Sequence, residues 1–377
     1  MREPGSEGTG NREKSGSGEP GTEGTGSKRT GGFGGDRFAL ERNPAVETGR
    51  SYYGRMTIPR IVYKGHGTAN DFVLYADPEG TLRPEESEIQ FLCDRHRGLG
   101  ADGLLRLVPT RLHDTIPQLD ADEAERMIAD GAEWFMDYYN ADGSVAEMCG
   151  NGSRVITLFA KQLGVWKGED GEKFALATRA GVKYLDFLGP VDGLGKNVFH
   201  VNMGPWKKGD DGHYRVSLVG VPGNVRGTFV DMGNPHVVCI VDDLVGVTRG
   251  VDTELPGVEA LDLSRPPVVE PPLEHGQNVE FVRIESLAGV DCGRAYMRVN
   301  ERGVGETMSC GTGLCATGVV LASMTGVSEW YIRIRGGVVR VDVFPDRVEL
   351  TGDARIVGRF EFLEDDVDDA TRAVHFA

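Results

Sequence analysis

Two short segments carry the residues most able to do chemistry: Cys149-Gly150-Asn151-Gly152 and Cys310-Gly311-Thr312-Gly313. Each precedes a stretch read as helical, roughly 151–163 and 312–324, so each thiol is placed at a helix N-terminus. That position offers free N–H groups and the positive end of the helix dipole, which draws a thiol's pKa from about 8.5 toward neutrality and receives a carboxylate. One such turn alone is explained as well by a buried cysteine at a tight glycine turn. Two copies suggest a thiolate and a thiol facing one carbon from opposite sides, the arrangement that inverts a stereocentre: one removes a proton and the other returns one. Two helix N-termini aimed at the neighbouring carboxylate would stabilise the carbanion with no separate cofactor.

The elements that must hold these turns repeat. Asn70 lies 79 residues before Cys149, and Asn234 lies 76 before Cys310; the matched points are offset by 164 and 161 residues. Asn140 precedes Cys149 by nine residues and Asn300 precedes Cys310 by ten. An internal duplication explains this. The fold class expected is α+β, two pseudo-symmetric domains, each wrapping strands around a central helix, with the active site in the cleft between them. Strands are predicted at 58–63, 72–76, 103–108, 134–139, 173–177, 182–187, 198–201, 226–230, 236–241, 279–284, 295–299, 331–334 and 338–343, from their β-branched and aromatic content. A helix is predicted at 84–96 with Ile89, Leu92 and Cys93 on one face, and 111–133 reads as an acidic surface insertion with a helical piece.

The expected organisation is a disordered Gly/Glu-rich extension over 1–55, a first repeat over 56–200, a second over 201–353, a strand at 354–363 returning to the first domain, and an acidic tail at 364–377. Residues 1–35 contain Phe33 as the single large apolar residue after Met1, too little to offset the entropy of ordering. Met56 is read as an alternative start. The chain has 377 residues and a formal net charge of −17, which argues against nucleic acid and anionic membranes as partners. No apolar run approaches the ~18–20 residues of a membrane span, and six cysteines are too few for a disulfide scaffold. A soluble cytoplasmic protein is expected.

Other motifs are weaker. Gly98-Leu99-Gly100-Ala101-Asp102-Gly103 matches the dinucleotide pattern G-x-G-x-x-G but follows a helix and precedes a strand, the reverse of what that site requires. Cys93-Asp94-Arg95-His96 lacks a second pair for a metal, so no metal is expected. Cys315 reads as core.

In order and context the motifs resemble the diaminopimelate epimerase family over most of 58–362. The resemblance rests on Gly67-Thr68-Ala69-Asn70-Asp71-Phe72, on residues 98–103, on Tyr139-Asn140-Ala141-Asp142-Gly143-Ser144 with Met148-Cys149-Gly150-Asn151-Gly152, on Met232-Gly233-Asn234-Pro235-His236, on Asn278-Val279-Glu280-Phe281, and on Asn300-Glu301-Arg302-Gly303-Val304-Gly305-Glu306-Thr307 with the second cysteine turn. It implies a cofactor-independent isomerase that interconverts LL- and meso-2,6-diaminopimelate for lysine and peptidoglycan synthesis, acting as a homodimer. It also implies Cys149 and Cys310 as the catalytic thiols, the first usually acid and the second base in one direction, with His236 and Glu301 beside them. Asn70, Asn140, Asn234, Asn278, Glu301 and Arg302 would bind the zwitterionic ends of the substrate, and the N–H groups of Gly150, Asn151, Gly311 and Thr312 its carboxylates. Some family members carry a glutamine where this chain has Asp102-Gly103. The competing readings are a two-cysteine racemase of proline or hydroxyproline, a non-catalytic amino-acid binder, and a redox protein cycling through a Cys149–Cys310 disulfide.

Overall fold

The computed structural model describes residues 57–169, 171–246, 253–288 and 292–363. The readings made for 1–55, for Met56 as a start and for 364–377 lie outside these residues.

In the first half, strands β1 (Ile61–Gly67), β2 (Asn70–Ala76), β3 (Gly103–Pro109), β4 (Trp134–Asn140), β5 (Lys173–Ala177), β6 (Lys183–Val191) and β7 (Gly195–Gly204) surround helix α3 (Gly150–Gln162). Helices α1 (Glu86–Cys93) and α2 (Ala121–Ala129) lie outside that layer. The second half begins with β8 (Lys207–Lys208) and β9 (Tyr214–Ser217), followed by β10 (Val225–Asp231), β11 (Pro235–Asp243), β12 (Val268–Glu270), β13 (Asn278–Ala288), β14 (Cys292–Glu301) and β15 (Gly305–Glu306). Helix α4 (Gly311–Thr325) comes next, then β16 (Glu329–Ile334), β17 (Gly337–Val343), β18 (Val348–Asp353) and β19 (Arg355–Glu361).

The duplication is explicit in the pairing. From β1 to β7, successive neighbours pair antiparallel, parallel, antiparallel, parallel, antiparallel and antiparallel. The series β10, β11, β13, β14, β16, β17, β18 pairs in the same sequence of senses. Register agrees as well: Phe72, two residues past Asn70, lies opposite Gly103, and His236, two past Asn234, lies opposite Asn278. The halves are sewn together by β7 against β18, and the last strand of the second half, β19, returns to pair with β1 of the first.

Burial explains the central helices. β2 carries four consecutive buried residues, Phe72 to Tyr75, because Phe72 and Leu74 pack toward α3 while Val73 and Tyr75 pack with Ile89 and Leu92 of α1. Residues 150–160 of α3 are all buried, and α4 is apolar nearly all round, as a helix wrapped by strands must be. One hydrophobic cluster joins both halves, from Val155 and Phe159 to Leu314, Val320 and Trp330.

Several boundaries differ from expectation. The 84–96 helix is shorter, and the 58–63 strand lies later, at β1. The 111–133 segment is more than a surface insertion: its Ile116, Leu119, Ala124 and Met127 form a small core with Val108 and Phe135. Among the described residues no helix is long and apolar enough to cross a membrane.

Candidate active site

Cys149 and Cys310 are the N-cap residues of α3 and α4, each in an extended conformation that lets the next residue begin the helix. The two helix starts meet. A Cβ placed on Gly311 would lie 3.5 Å from Gly150 Cα, 3.7 Å from Gly150 N and 3.8 Å from Asn151 N. These are ordinary van der Waals distances; at Gly150 the tighter neighbour of such a Cβ is the Met203 side chain, at 3.0 Å.

The surroundings of the thiols differ. Cys149 is half-buried; its Sγ donates to Asn70 Oδ1 at 3.4 Å and accepts the Gly152 N–H at 3.4 Å. Cys310 is 6% exposed, with Thr312 Oγ1 3.6 Å from its Sγ, and the carboxylates of Glu301 and Glu280 act on it. Both thiols are less acidic than their helix positions suggest. Burial, helped by Glu301, pushes Cys149 up to about 11 against its backbone N–H donors. Burial followed by Glu301 and Glu280 holds Cys310 well above the ordinary thiol range. The expectation of near-neutral thiols is therefore corrected: desolvation of the thiolate outweighs the dipole and N–H groups.

The proposed substrate and supporting residues fall into two groups. Close to the thiols, Asn70 Oδ1 also accepts from Asn151 Nδ2 at 3.2 Å. Asn234 donates to Thr312 Oγ1 at 3.3 Å and lies 3.1 Å from His236 Nε2. His236 is fully buried, its Nδ1 2.7 Å from Glu280 Oε1. Glu301 accepts from Thr307 Oγ1, and its carboxylate acts on Cys310; burial raises its pKa. Further out, Asn278 holds the Arg302 N–H at 2.9 Å, and the exposed Arg302 guanidinium donates to the His275 carbonyl at 3.1 Å. Asn140 is engaged in its own turn, donating to Ser144 Oγ at 3.0 Å.

Five residues near the site were given no role from sequence. Ser309 is buried at 3% exposure and receives Asn151 Nδ2 on its Oγ at 3.1 Å, while its Oγ lies 2.9 Å from Thr68 Oγ1. Thr68 and Ala69 have φ of 50° and 61°, an uncommon conformation for non-glycine residues and a mark of backbone held against its preference. Arg154 is fully buried, donating to Asn151 Oδ1 at 2.8 Å and Thr68 Oγ1 at 3.2 Å. Glu280 is fully buried in a strand otherwise rich in Val, Phe and Ile. A carboxylate in such a strand was the available signal, because a buried acid needs a partner.

The chain is similar to known proteins in both sequence and fold. The family model described as diaminopimelate epimerase matches residues 62–207 and 228–357, one block in each half. The diaminopimelate epimerase of Thermobifida fusca is 40% identical over 295 residues, covering 78% of this chain and 94% of that protein. That of Streptomyces coelicolor is 39% identical over 321 residues, covering 80% and 96%. Among solved structures, a Bacillus anthracis phenazine biosynthesis protein of the PhzF family superposes with a TM-score of 0.54 at 14% identity, covering 80% of this chain and 98% of that one. A probable proline racemase from Agrobacterium radiobacter does so with 0.54 at 13%, covering 82% and 95%; these two share the fold. With both halves matched and relatives near 40% identity covered almost end to end, the chain belongs to the diaminopimelate epimerase family.

Proposed function

We propose that this chain interconverts LL- and meso-2,6-diaminopimelate by a two-thiol mechanism in which Cys149 and Cys310 act on opposite faces of one α-carbon. The observation that carries the reading is the meeting of the two Cys-Gly-x-Gly helix starts, at Gly150 and Gly311. The N–H groups of Gly150, Asn151, Gly311 and Thr312 bind the carboxylate next to the reacting carbon, and both helix dipoles favour the charge that develops there. One sulfur, as thiolate, takes the α-proton while the other delivers its own; the reverse reaction exchanges the roles. Glu301 receives the Cys310 proton as that thiolate forms, and His236, paired with Glu280, holds Asn234 against Thr312. Asn70, Asn140, Asn278 and Arg302 serve the amino-acid ends, so a ligand with one such end satisfies only part of the site.

The product supplies lysine and peptidoglycan synthesis. We also infer a cytoplasmic homodimer, for which light scattering should give twice the chain mass. The deciding experiment is proton NMR of LL-diaminopimelate in deuterated buffer with reductant. Loss of the α-proton signal with appearance of the meso isomer, and no epimerisation by Cys149→Ala or Cys310→Ala, supports the proposal. Exchange of proline in place of diaminopimelate would overturn the substrate assignment, and binding without exchange would overturn catalysis.

A further inference from the structure

Asn70 touches the Cys149 sulfur through its carbonyl oxygen, and a chain of polar groups dictates that orientation from both ends. At one end is Arg154, fully buried, whose Nη2 donates to Asn151 Oδ1 at 2.8 Å. A guanidinium only donates, so the Asn151 amide must turn its oxygen toward it and its NH2 away. That NH2 reaches Asn70 Oδ1 at 3.2 Å and Ser309 Oγ at 3.1 Å. At the other end is Asp102, whose Oδ2 accepts from Asn70 Nδ2 at 2.7 Å and from the Asp71 N–H at 3.1 Å, while its Oδ1 accepts from Arg95 at 2.8 Å. A carboxylate only accepts, so it demands the NH2 end of Asn70. Turning the Asn70 amide over would set oxygen against the carboxylate and NH2 against NH2.

We propose that Arg154 and Asp102 are positioning residues that lock the polarity of the Asn151–Asn70 amide pair, so that Asn70 presents a hydrogen-bond acceptor, and never a donor, to Cys149. An acceptor holds the proton on that sulfur; a donor would favour the thiolate. The second thiol has no such device: Asn234, equivalent to Asn70, meets Thr312 Oγ1 and His236 Nε2. The device rests on Cys149 being a working thiol, as proposed above. The other ionisable groups that act on Cys149 or border it are Glu301 at the end of β14 and Tyr138 on β4, and the variants below leave both in place.

The test is alkylation of the intact protein by iodoacetamide across pH, with Cys149 and Cys310 quantified separately by peptide mass spectrometry, alongside the epimerase rate. In Asp102→Ala nothing is left to accept from the Asn70 NH2, so one of the two groups that fix the amide is gone and the NH2 can turn toward sulfur. The alkylation midpoint of Cys149 should fall by about half a pH unit while that of Cys310 stays, and kcat should drop about tenfold, the scale seen when groups that orient a reacting residue are removed. Asp102→Glu, which retains the accepting carboxylate, should keep the native Cys149 profile. Arg154→Met removes a buried charge and is informative only if the protein folds; the Asp102 pair decides the matter without it. An unchanged Cys149 profile in Asp102→Ala, or equal shifts at both thiols, would overturn the proposal. A selective Cys149 shift in a protein that does not turn over diaminopimelate would instead overturn the functional reading and leave the device standing.

Discussion

The starts of α3 and α4 are the same backbone feature built twice, yet almost nothing around the two thiols is shared. Cys149 sits among amides and backbone N–H groups, and its helix continues with buried Asn151, Ser153, Arg154 and Thr157. Cys310 sits against carboxylates, and its helix continues with Leu314, Cys315, Ala316 and Val319. Arg154 and Cys315 occupy equivalent positions five residues past each thiol. The comparison teaches that duplication preserved what positions a sulfur, an N-cap and a glycine, and left free what tunes it. A symmetric scaffold thus supports two chemically distinct thiols, which a reaction with one acid and one base requires.

The largest effect should come from removing one thiol at a time. Cys149→Ala and Cys310→Ala should each lower epimerisation by about a thousandfold or more, within the range for loss of a positioned acid or base. Each should still exchange the α-proton of the single isomer that presents it to the remaining sulfur, measurable by deuterium incorporation without inversion. Exchange of both isomers by either variant would break the assignment of one face to each thiol.

Glu301→Gln should come next, lowering kcat by about a hundredfold, because the amide cannot take the Cys310 proton. Its effect on Cys149 alkylation should be small by comparison, since Glu301 reaches that sulfur only through its charge. Equal effects at both sulfurs would erase the distinction drawn here.

A smaller difference is expected in stability. The folded-state pKa of Cys149 is raised, from 9.0 to about 11, so the folded state keeps a proton that the unfolded chain releases. The resulting contribution is fully present below about pH 9 and is lost as pH rises toward 11. Thermal melts should therefore show the wild type losing more stability than Cys149→Ala over that interval; identical slopes would mean the thiol is not held protonated by the fold. Smallest of all should be Cys315→Ala, costing about 1–2 kcal/mol for the lost sulfur in the core and leaving kcat nearly unchanged. Loss of activity there would move Cys315 from packing into the chemistry.

The sequence made the helix starts readable because cysteine and glycine at a fixed offset are rare and the duplication repeats them. It made the strands of both halves readable wherever β-branched and aromatic residues cluster, as in 134–139 or 279–284. Short ladders such as β9 and β12 were not readable, since three or four residues of ordinary composition carry no periodicity. The thiol acidity was misjudged for a physical reason: helix dipoles follow from local order, whereas desolvation depends on strands far away in the chain. Glu280 and Asp102 both lay inside recognisable motifs, but their partners His236 and Asn70 lie 44 and 32 residues away, and only the folded register of β11 with β13 or β2 with β3 reveals them.

The return of β19 to the first half has a consequence for synthesis. β1 is the first described strand to leave the ribosome and β19 the last, yet they pair along most of their length. Until residues 355–361 have been made, one edge of β1 therefore remains an open template for any passing strand. The first half cannot complete its sheet as a nascent chain, however early its helix forms. Closure of the whole protein waits on a long-range pairing whose cost falls at the end of translation, so a stalled or truncated chain would expose an unpaired edge rather than a finished half-enzyme.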